Sequence, residues 1–338
     1  MGVRRIVMKA LVTGGGGFLG GVIARMLRER GNEVRSFSRG DYPALTALGV
    51  EQFRGALEDP QAVNKAAVGC DIVFHVAAKA GIWGSYRDFH QANVAGTEHV
   101  ISACRNNGIA RLVYTSSPSV VFDGSDVEGG NESLPYPAAY EAHYPATKAL
   151  AEQLALAANS PELAVTALRP HLIWGPGDNH LVPRIIAKGR AGKLRRIGIC
   201  PNMVDTVYVD NAARAHLQAA DMLSPGSAVA GKAYFISNGE PLPLWEMVNR
   251  ILAAAGIPPV TRSIPPQLAF TIGCICESLW GLLHLPGEPP MTRFVAHELA
   301  SAHWFDISAA RRDFGYNPAI SIDEGLERLR RFLQKPPA

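Results

Sequence analysis

The chain has 338 residues, with 33 Lys and Arg against 30 Asp and Glu, a formal net charge of +3. That near-neutral balance argues against nucleic acid as the main ligand. With 47% apolar residues there is ample core material, and the length suits a large domain plus a smaller one. The five cysteines (70, 104, 200, 274, 276) are odd in number and lack zinc or redox spacing, so idle thiols in a reducing cytoplasm are expected.

In chain order, residues 1–7 carry Arg4 and Arg5 but no secretory pattern, and Met8-Lys9 reads as a natural start, which makes them an upstream extension. Residues 6–12 form an apolar run of strand length, as in a strand buried on both faces. Glycines at 14, 17 and 20 follow, and Val22, Ile23, Met26 and Leu27 then take helical spacing. Strand, glycine turn and helix together predict a dinucleotide cradle. Gly14 makes the tight turn, Gly17 admits the pyrophosphate, Gly20 permits close helix–strand packing, and the first helical turn, Phe18 and Leu19, offers free N–H groups.

The next strand, 33–38, ends in Ser38-Arg39, with no carboxylate before Asp41. An acidic residue there would hold a free ribose 2′-hydroxyl, whereas an arginine can pair with a 2′-phosphate. The chain is therefore expected to take NADP(H) rather than NAD(H).

A third strand is predicted over 50–57, with a helix opening at Pro60, and a fourth over 71–78. The small residues that end the fourth, Ala77 among them, leave room for a flat cofactor. Asn93-Val-Ala-Gly-Thr97 leads a helix, 111–117 is a fifth strand ending in hydroxyls, and 123–143 reads as a loop. A strong helix spans 144–158 and a sixth strand 163–170. Strands alternating with helices predict an α/β protein with a Rossmann-type, doubly wound parallel sheet.

Beyond Pro170 the alternation loosens. A helix is expected over 181–191, a strand over 204–209, a helix from Asp210 as its own cap, a strand over 232–237 and a helix over 244–255. The organisation expected is a Rossmann domain over 1–177, completed by segments around 205–237, and a smaller, mostly helical substrate-binding portion over 178–204 and 238–338. The most apolar stretch, 268–285, is expected to be a helix buried against a partner, an apolar substrate or the rest of the fold. Interfacial membrane contact is a second reading, and Glu277 and His284 count against a membrane span.

Tyr144 and Lys148 lie four residues apart on the 144–158 helix and so share a face. A nearby ammonium would pull the Tyr144 phenol down from about 10 and make it an acid–base catalyst. Ser117 can hydrogen-bond a carbonyl oxygen, and Lys148 can also hold a ribose. Ser116 and Tyr140 are the rivals of Ser117 and Tyr144. No metal site is expected.

These residues resemble the extended short-chain dehydrogenase/reductases over essentially the whole chain. The matching pieces are Thr13-Gly-Gly-Gly-Gly-Phe-Leu-Gly20, Asn93-Val-Ala-Gly-Thr97, Tyr114-Thr-Ser-Ser117, Tyr144-Pro-Ala-Thr-Lys148 and Leu168-Arg-Pro170. Within that superfamily the chain looks like the 3β-hydroxysteroid dehydrogenase/isomerase-like branch. The segments 75–84, 115–122, 168–177 and 234–241 are most similar to bacterial 2-alkyl-3-oxoalkanoate reductases of long-chain olefin biosynthesis.

The resemblance implies NADPH-dependent reduction of a 2-alkyl-3-oxoalkanoic acid to the 3-hydroxy acid. It gives Tyr144 the acid–base role with Lys148 and Ser117 in support, and it places backbone near Pro170 and Ile173 against the nicotinamide amide. Ala56 stands where relatives often carry an Asp, so adenine recognition falls to Leu57 or Asp59. Lys79, His171, Arg184, Arg195 and Arg196 are candidate cations for the substrate carboxylate, and Trp83, Tyr86 and Trp174 candidate walls of an apolar channel. The partner expected is an apolar keto or hydroxy acid. A homodimer, and assembly with other olefin-pathway enzymes through 268–285, stay open. The rival functions are a 3β-hydroxysterol dehydrogenase, with or without decarboxylation, a nucleotide-sugar epimerase, and a non-catalytic NADP-binding subunit.

Overall fold

A computed structural model describes residues 7–198 and 201–334. Most of the expected upstream extension, and Cys200, lie outside these residues. Seven parallel strands form the main sheet: β1 (Lys9–Thr13), β2 (Glu33–Ser38), β3 (Glu51–Arg54), β4 (Ile72–His75), β5 (Arg111–Thr115), β6 (Ala164–Pro170) and β7 (Ala233–Ile236). Their order is β3-β2-β1-β4-β5-β6-β7, so the chain reverses direction across the sheet between β1 and β4. In open α/β sheets that switch point, at the carboxyl ends of the strands, is where ligands bind.

Ten principal helices accompany the sheet: α1 (Phe18–Glu29), α2 (Pro60–Ala67), α3 (Gly96–Asn106), α4 (His143–Ala157), α5 (Leu181–Arg190), α6 (Val209–Met222), α7 (Leu244–Ala254), α8 (Pro266–Leu283), α9 (Arg293–Ala300) and α10 (Ile322–Gln334). Both faces of the sheet are buried, so each strand feeds two cores on alternate residues. Ala10, Val12, Ile72, Phe74 and Val113 pack with Ile23 and Leu27 of α1 and the alanine-rich face of α6. Leu11, Val73, Leu112 and Tyr114 pack with Val63 of α2, Val100 of α3 and Ala151 of α4.

Three expectations beyond the repeating unit are corrected. The 123–143 segment is not all loop, because Val127–Gly130 pairs in parallel with His303–Phe305, inside a small four-stranded sheet that also takes Met203–Val204 and Leu242–Pro243. That strand owes its existence to a partner far along the chain, which local turn signals cannot reveal. The strand expected over 204–209 is split: Met203–Val204 joins the small sheet, while Val207–Tyr208 pairs with Ile173–Trp174. Asp210 does not cap α6. Its carboxylate faces Arg25 at 3.1 Å and Arg328 at 3.6 Å, and the cap position is Tyr208.

The apolar stretch at 268–285 does form a helix, α8, but only Ala269 and Gly273 are buried. A Cβ at Gly273 would lie 2.7 Å from the Thr292 backbone, so that side of α8 closes on the start of α9. The opposite side stays exposed, so the rest of the fold does not cover it.

One buried ion pair ties α4 to β6. Arg169, in the Leu-Arg-Pro motif, is fully enclosed and grips Glu152 through Nη2–Oε1 at 2.6 Å and Nε–Oε2 at 2.9 Å. Tyr136 donates to the same carboxylate at 2.6 Å. Replacing Glu152 with Ala strands the guanidinium, whose Nη1 already lacks a partner. Chemical denaturation of Glu152→Ala is expected to show a loss of about 3–5 kcal/mol.

Candidate active site

The site is built at the switch point. Thr13 ends β1, and its hydroxyl accepts from the backbone N–H of Val76 at 3.1 Å and Ala77 at 3.2 Å, locking β1 to the segment after β4. Gly14 then turns with φ +71°, and a Cβ there would sit 2.9 Å from the Ala77 Cα. A Cβ at Gly20 would lie 2.2 Å from the Gly14 carbonyl oxygen, and one at Gly17 3.2 Å from the same atom. Gly15 and Gly16, given no role by the motif, face side chains rather than backbone: the Ser36 hydroxyl and the Tyr42 ring cover their virtual Cβ positions. Gly17 caps α1 without a side chain, so the N–H groups of the first turn, at Phe18 and Leu19, are presented without a covering side chain. A cradle with no room for a Cβ, opening at a helix N-terminus, fits a dinucleotide pyrophosphate.

At the end of β2 the Ser38 hydroxyl accepts from the Gly16 N–H at 3.1 Å. Arg39 is exposed and has no carboxylate partner among the described residues. Its carbonyl takes a hydrogen bond from Arg54 Nε at 3.0 Å, which places a second guanidinium nearby. The Leu57 carbonyl accepts from His99 at 2.7 Å. Asp59 caps α2, its Oδ1 accepting from the Gln61 and Ala62 N–H groups.

On α4, Tyr144 and Lys148 share a face, yet the expected direct coupling is absent. The Lys148 ammonium is buried and donates to the Tyr114 hydroxyl and the Thr115 carbonyl, each at 2.7 Å. Burial pulls its pKa down to about 7. Thr115 is itself fixed. His216 Nδ1–H donates to the Ala212 carbonyl at 2.7 Å, so its Nε2 accepts from the Thr115 hydroxyl at 2.9 Å.

Tyr144 is half-buried, and burial pushes its phenol above the usual value; a hydrogen bond with Ser117 offsets this in part, and the Glu298 charge adds to it. The lowered phenol expected from Lys148 is therefore corrected, because the ammonium is spent on β5 and desolvation dominates. Ser117 Oγ also meets Ser119 Oγ at 2.9 Å. Its rival Ser116 is buried, its hydroxyl without a partner. Tyr140 is tied to the Val120 carbonyl at 2.8 Å.

After β6, Pro170 is followed by Leu172 at φ +42°, a left-handed conformation rare for a branched residue, and then by half-buried Ile173. His171 Nδ1 lies 2.6 Å from Asp205, and its Nε2 lies 3.2 Å from His303 Nδ1. His303 Nε2–H donates to the Glu298 carbonyl at 2.9 Å. His171 thus serves Asp205 and is not the free cation expected for a substrate.

Of the other candidate cations, Arg184 pairs with Glu288 at 2.6 Å and Lys79 with Asp88 at 3.4 Å. Arg195 bonds the Gly192 and Leu194 carbonyls, and Arg196 lines a separate groove beside Trp245. A cavity of about 580 Å³ lies between residues 82–84, 141–143 and helices α8 and α9; its wall ends at His143, the residue before Tyr144. Trp83, Phe89 and Phe294 give it aromatic walls, and His143 and Arg293 are the basic groups that line it. Tyr86 is exposed with its ring against His143, and Trp174 is fully buried, so neither lines this cavity.

Glu298 was not legible in the sequence. It lies on α9, nearly 150 residues beyond Lys148, its carboxyl makes no hydrogen bond among the described residues, and burial pushes it up to about 7.

The model of the 3-beta hydroxysteroid dehydrogenase/isomerase family matches residues 11–265. The chain belongs to that family. It is 58% identical to a 2-alkyl-3-oxoalkanoate reductase of Stenotrophomonas maltophilia over 96% of this chain and 98% of the relative, and 49% identical to one of Shewanella oneidensis over 97% and 87%. A mouse sterol-4-alpha-carboxylate 3-dehydrogenase, decarboxylating, is 35% identical over 95% and 89%. Among solved structures, gox2253 superposes with a TM-score of 0.76 at 25% identity, covering 96% and 97% of the two chains. A dTDP-glucose 4,6-dehydratase of Streptomyces venezuelae, solved with NAD, shares the fold with a TM-score of 0.76 at 23% identity, covering 97% of each chain. This member of the family is a nicotinamide-dependent oxidoreductase acting on alcohol or ketone groups.

The Glu298 charge raises the Tyr144 pKa, so removing it must lower that pKa. In Glu298→Gln the alkaline rise of alcohol oxidation, which needs the phenolate, is expected at lower pH than in the wild type. The pH dependence of kcat for alcohol oxidation checks this, and an unmoved profile removes Glu298 from the electrostatics of the site.

Proposed function

We propose that the protein reduces 2-alkyl-3-oxoalkanoic acids to 2-alkyl-3-hydroxyalkanoic acids in long-chain olefin biosynthesis, with NADPH as cofactor. The observation that carries this reading is the Ser117–Tyr144 pair, next in the chain to the His143 wall of an aromatic cavity, in a chain 58% identical to a reductase of that name along nearly its whole length. We assign the cofactor to residues 1–177 with the segments around 205–237, and the substrate to 178–204 and 238–338, within a cytoplasmic protein.

The bound reduced nicotinamide supplies hydride to the substrate carbonyl carbon. Gly14, Gly17 and Gly20 admit the pyrophosphate, and Phe18 and Leu19 donate backbone N–H groups to it. Ser38 and Arg39 face the adenosine ribose, Arg39 pairing with the 2′-phosphate. Ala77, Pro170 and Ile173 border the nicotinamide half, with Leu57 and Asp59 at the adenine. Ser117 donates to the ketone oxygen, and Tyr144 delivers the proton that this oxygen acquires. Tyr144 stays protonated at neutral pH, which suits reduction. Lys148 lies behind them, anchored on β5, and we assign it the nicotinamide ribose. Arg293, paired with Glu277 at 2.6 Å, and His143 are the basic side chains on the cavity wall, and we assign the substrate carboxylate to that wall. The mouse relative's name keeps a sterol substrate as the second reading.

Purified protein supplied with NADP+ and either a long-chain 2-alkyl-3-hydroxy acid or a 3β-hydroxysterol decides between the two; turnover of the sterol alone overturns the proposal. Tyr144→Phe is expected to lower kcat by about 10²–10⁴-fold with cofactor affinity kept. Arg39→Ala is expected to weaken NADPH about tenfold or more while leaving NADH nearly unchanged, read by titration calorimetry. Equal losses for both cofactors would reverse the assignment of NADP(H).

A further inference from the structure

We infer that α8, flanked by the basic segment 184–196, docks the protein on an anionic lipid bilayer surface. Leu268, Ile272, Ile275, Leu279, Leu282 and Leu283 are all exposed, Leu282 by 78%. Their spacing, i, i+4, i+7, i+11 and i+14–15, puts them on one face of the helix. The other side of α8 is engaged. Gly273 closes on Thr292, Glu277 pairs with Arg293 at 2.6 Å, and Cys274, Glu277 and Ser278 line the 580 Å³ cavity. Although α8 is long and apolar enough to cross a bilayer, this packing and the paired charge hold it against the protein body. It therefore presents one apolar side, as an interfacial helix does.

The occupant is decided by charge. The near-neutral net charge conceals an uneven distribution. Residues 179–204 hold Arg184, Lys188, Arg190, Lys193, Arg195 and Arg196 and no acidic residue. Among the described residues only Arg184 of these six has a carboxylate partner. The segment is joined to both ends of α8. Arg196 pairs with Ser263 in a short parallel ladder just before the helix, and Lys188 Nζ donates to the Pro290 carbonyl just after it, at 3.5 Å. Arg262 adds a further exposed cation on the leading side. An apolar face flanked by unpaired cations is complementary to apolar chains beneath anionic headgroups. Docked in this way, α8 lies between the bilayer and the cavity, and a water-insoluble substrate can pass from one to the other.

Flotation of the full chain with vesicles tests this without turnover, so its outcome is independent of the reaction proposed above. Wild-type protein is expected to float with vesicles of phosphatidylglycerol and phosphatidylcholine and to be released by high salt, and to float far less with phosphatidylcholine alone. The exposed double substitution Ile275→Glu/Leu279→Glu should reduce the partition coefficient by about tenfold or more. Arg190→Glu/Lys193→Glu should reduce binding to the anionic vesicles alone. Circular dichroism shows whether each variant folds. Wild-type protein left in the supernatant with anionic vesicles overturns the inference. So does a stable oligomer, detected by sedimentation without lipid, that Ile275→Glu/Leu279→Glu dissociates, since that result assigns the face to a second copy.

Discussion

Everything in this site follows from how closely the backbone of α1 approaches the turn that precedes it. The Gly14 carbonyl lies so near Gly20 that any side chain there would overlap it, and Ala77 closes on Gly14 from β4. Hydrogen bonds from the Val76 and Ala77 N–H groups to Thr13 hold that approach. The helix N-terminus is thereby aimed at the gap between β1 and β4, where the strand order reverses. A polar ligand can be held there by backbone alone, and for this reason the turn tolerates nothing larger than hydrogen at Gly14 and Gly20.

The catalytic side is organised by a second constraint, the burial of a cation. Lys148 satisfies its ammonium on Tyr114 and on the carbonyl of Thr115, and Thr115 is held in turn by His216 of α6. Three elements from distant parts of the chain therefore fix one side chain. The Tyr144 phenol receives little direct help from that ammonium. Its proton affinity is set by desolvation, by Ser117 and by the Glu298 carboxyl of α9. The C-terminal helices do more than enclose a substrate: they carry a charge that acts on the proposed acid.

The same helices divide their surfaces between tasks. α9 supplies Glu298 and the Arg293 and Phe294 part of the cavity wall, and α8, joined to it through Glu277–Arg293, supplies the adjoining part while leaving its apolar face outward. A soluble domain would normally cover such a face. Leaving it open beside a basic segment is consistent with a reaction on lipid-like molecules, in which delivery of the substrate is as much a physical problem as its reduction.

By itself the sequence determined the sheet, the cradle and the Tyr144–Lys148 face. Those features rest on local period, on glycine spacing and on residues one helical turn apart, all of which are read within short windows. The strand at Val127–Gly130, the engagement of His171 by Asp205 and His303 and the approach of Glu298 to Tyr144 were decided only by tertiary structure. Most of them join residues separated by tens to hundreds of positions. The exposure of α8 belongs with them: apolar composition announces a helix that seeks cover, but whether the chain itself provides that cover depends on what else packs there.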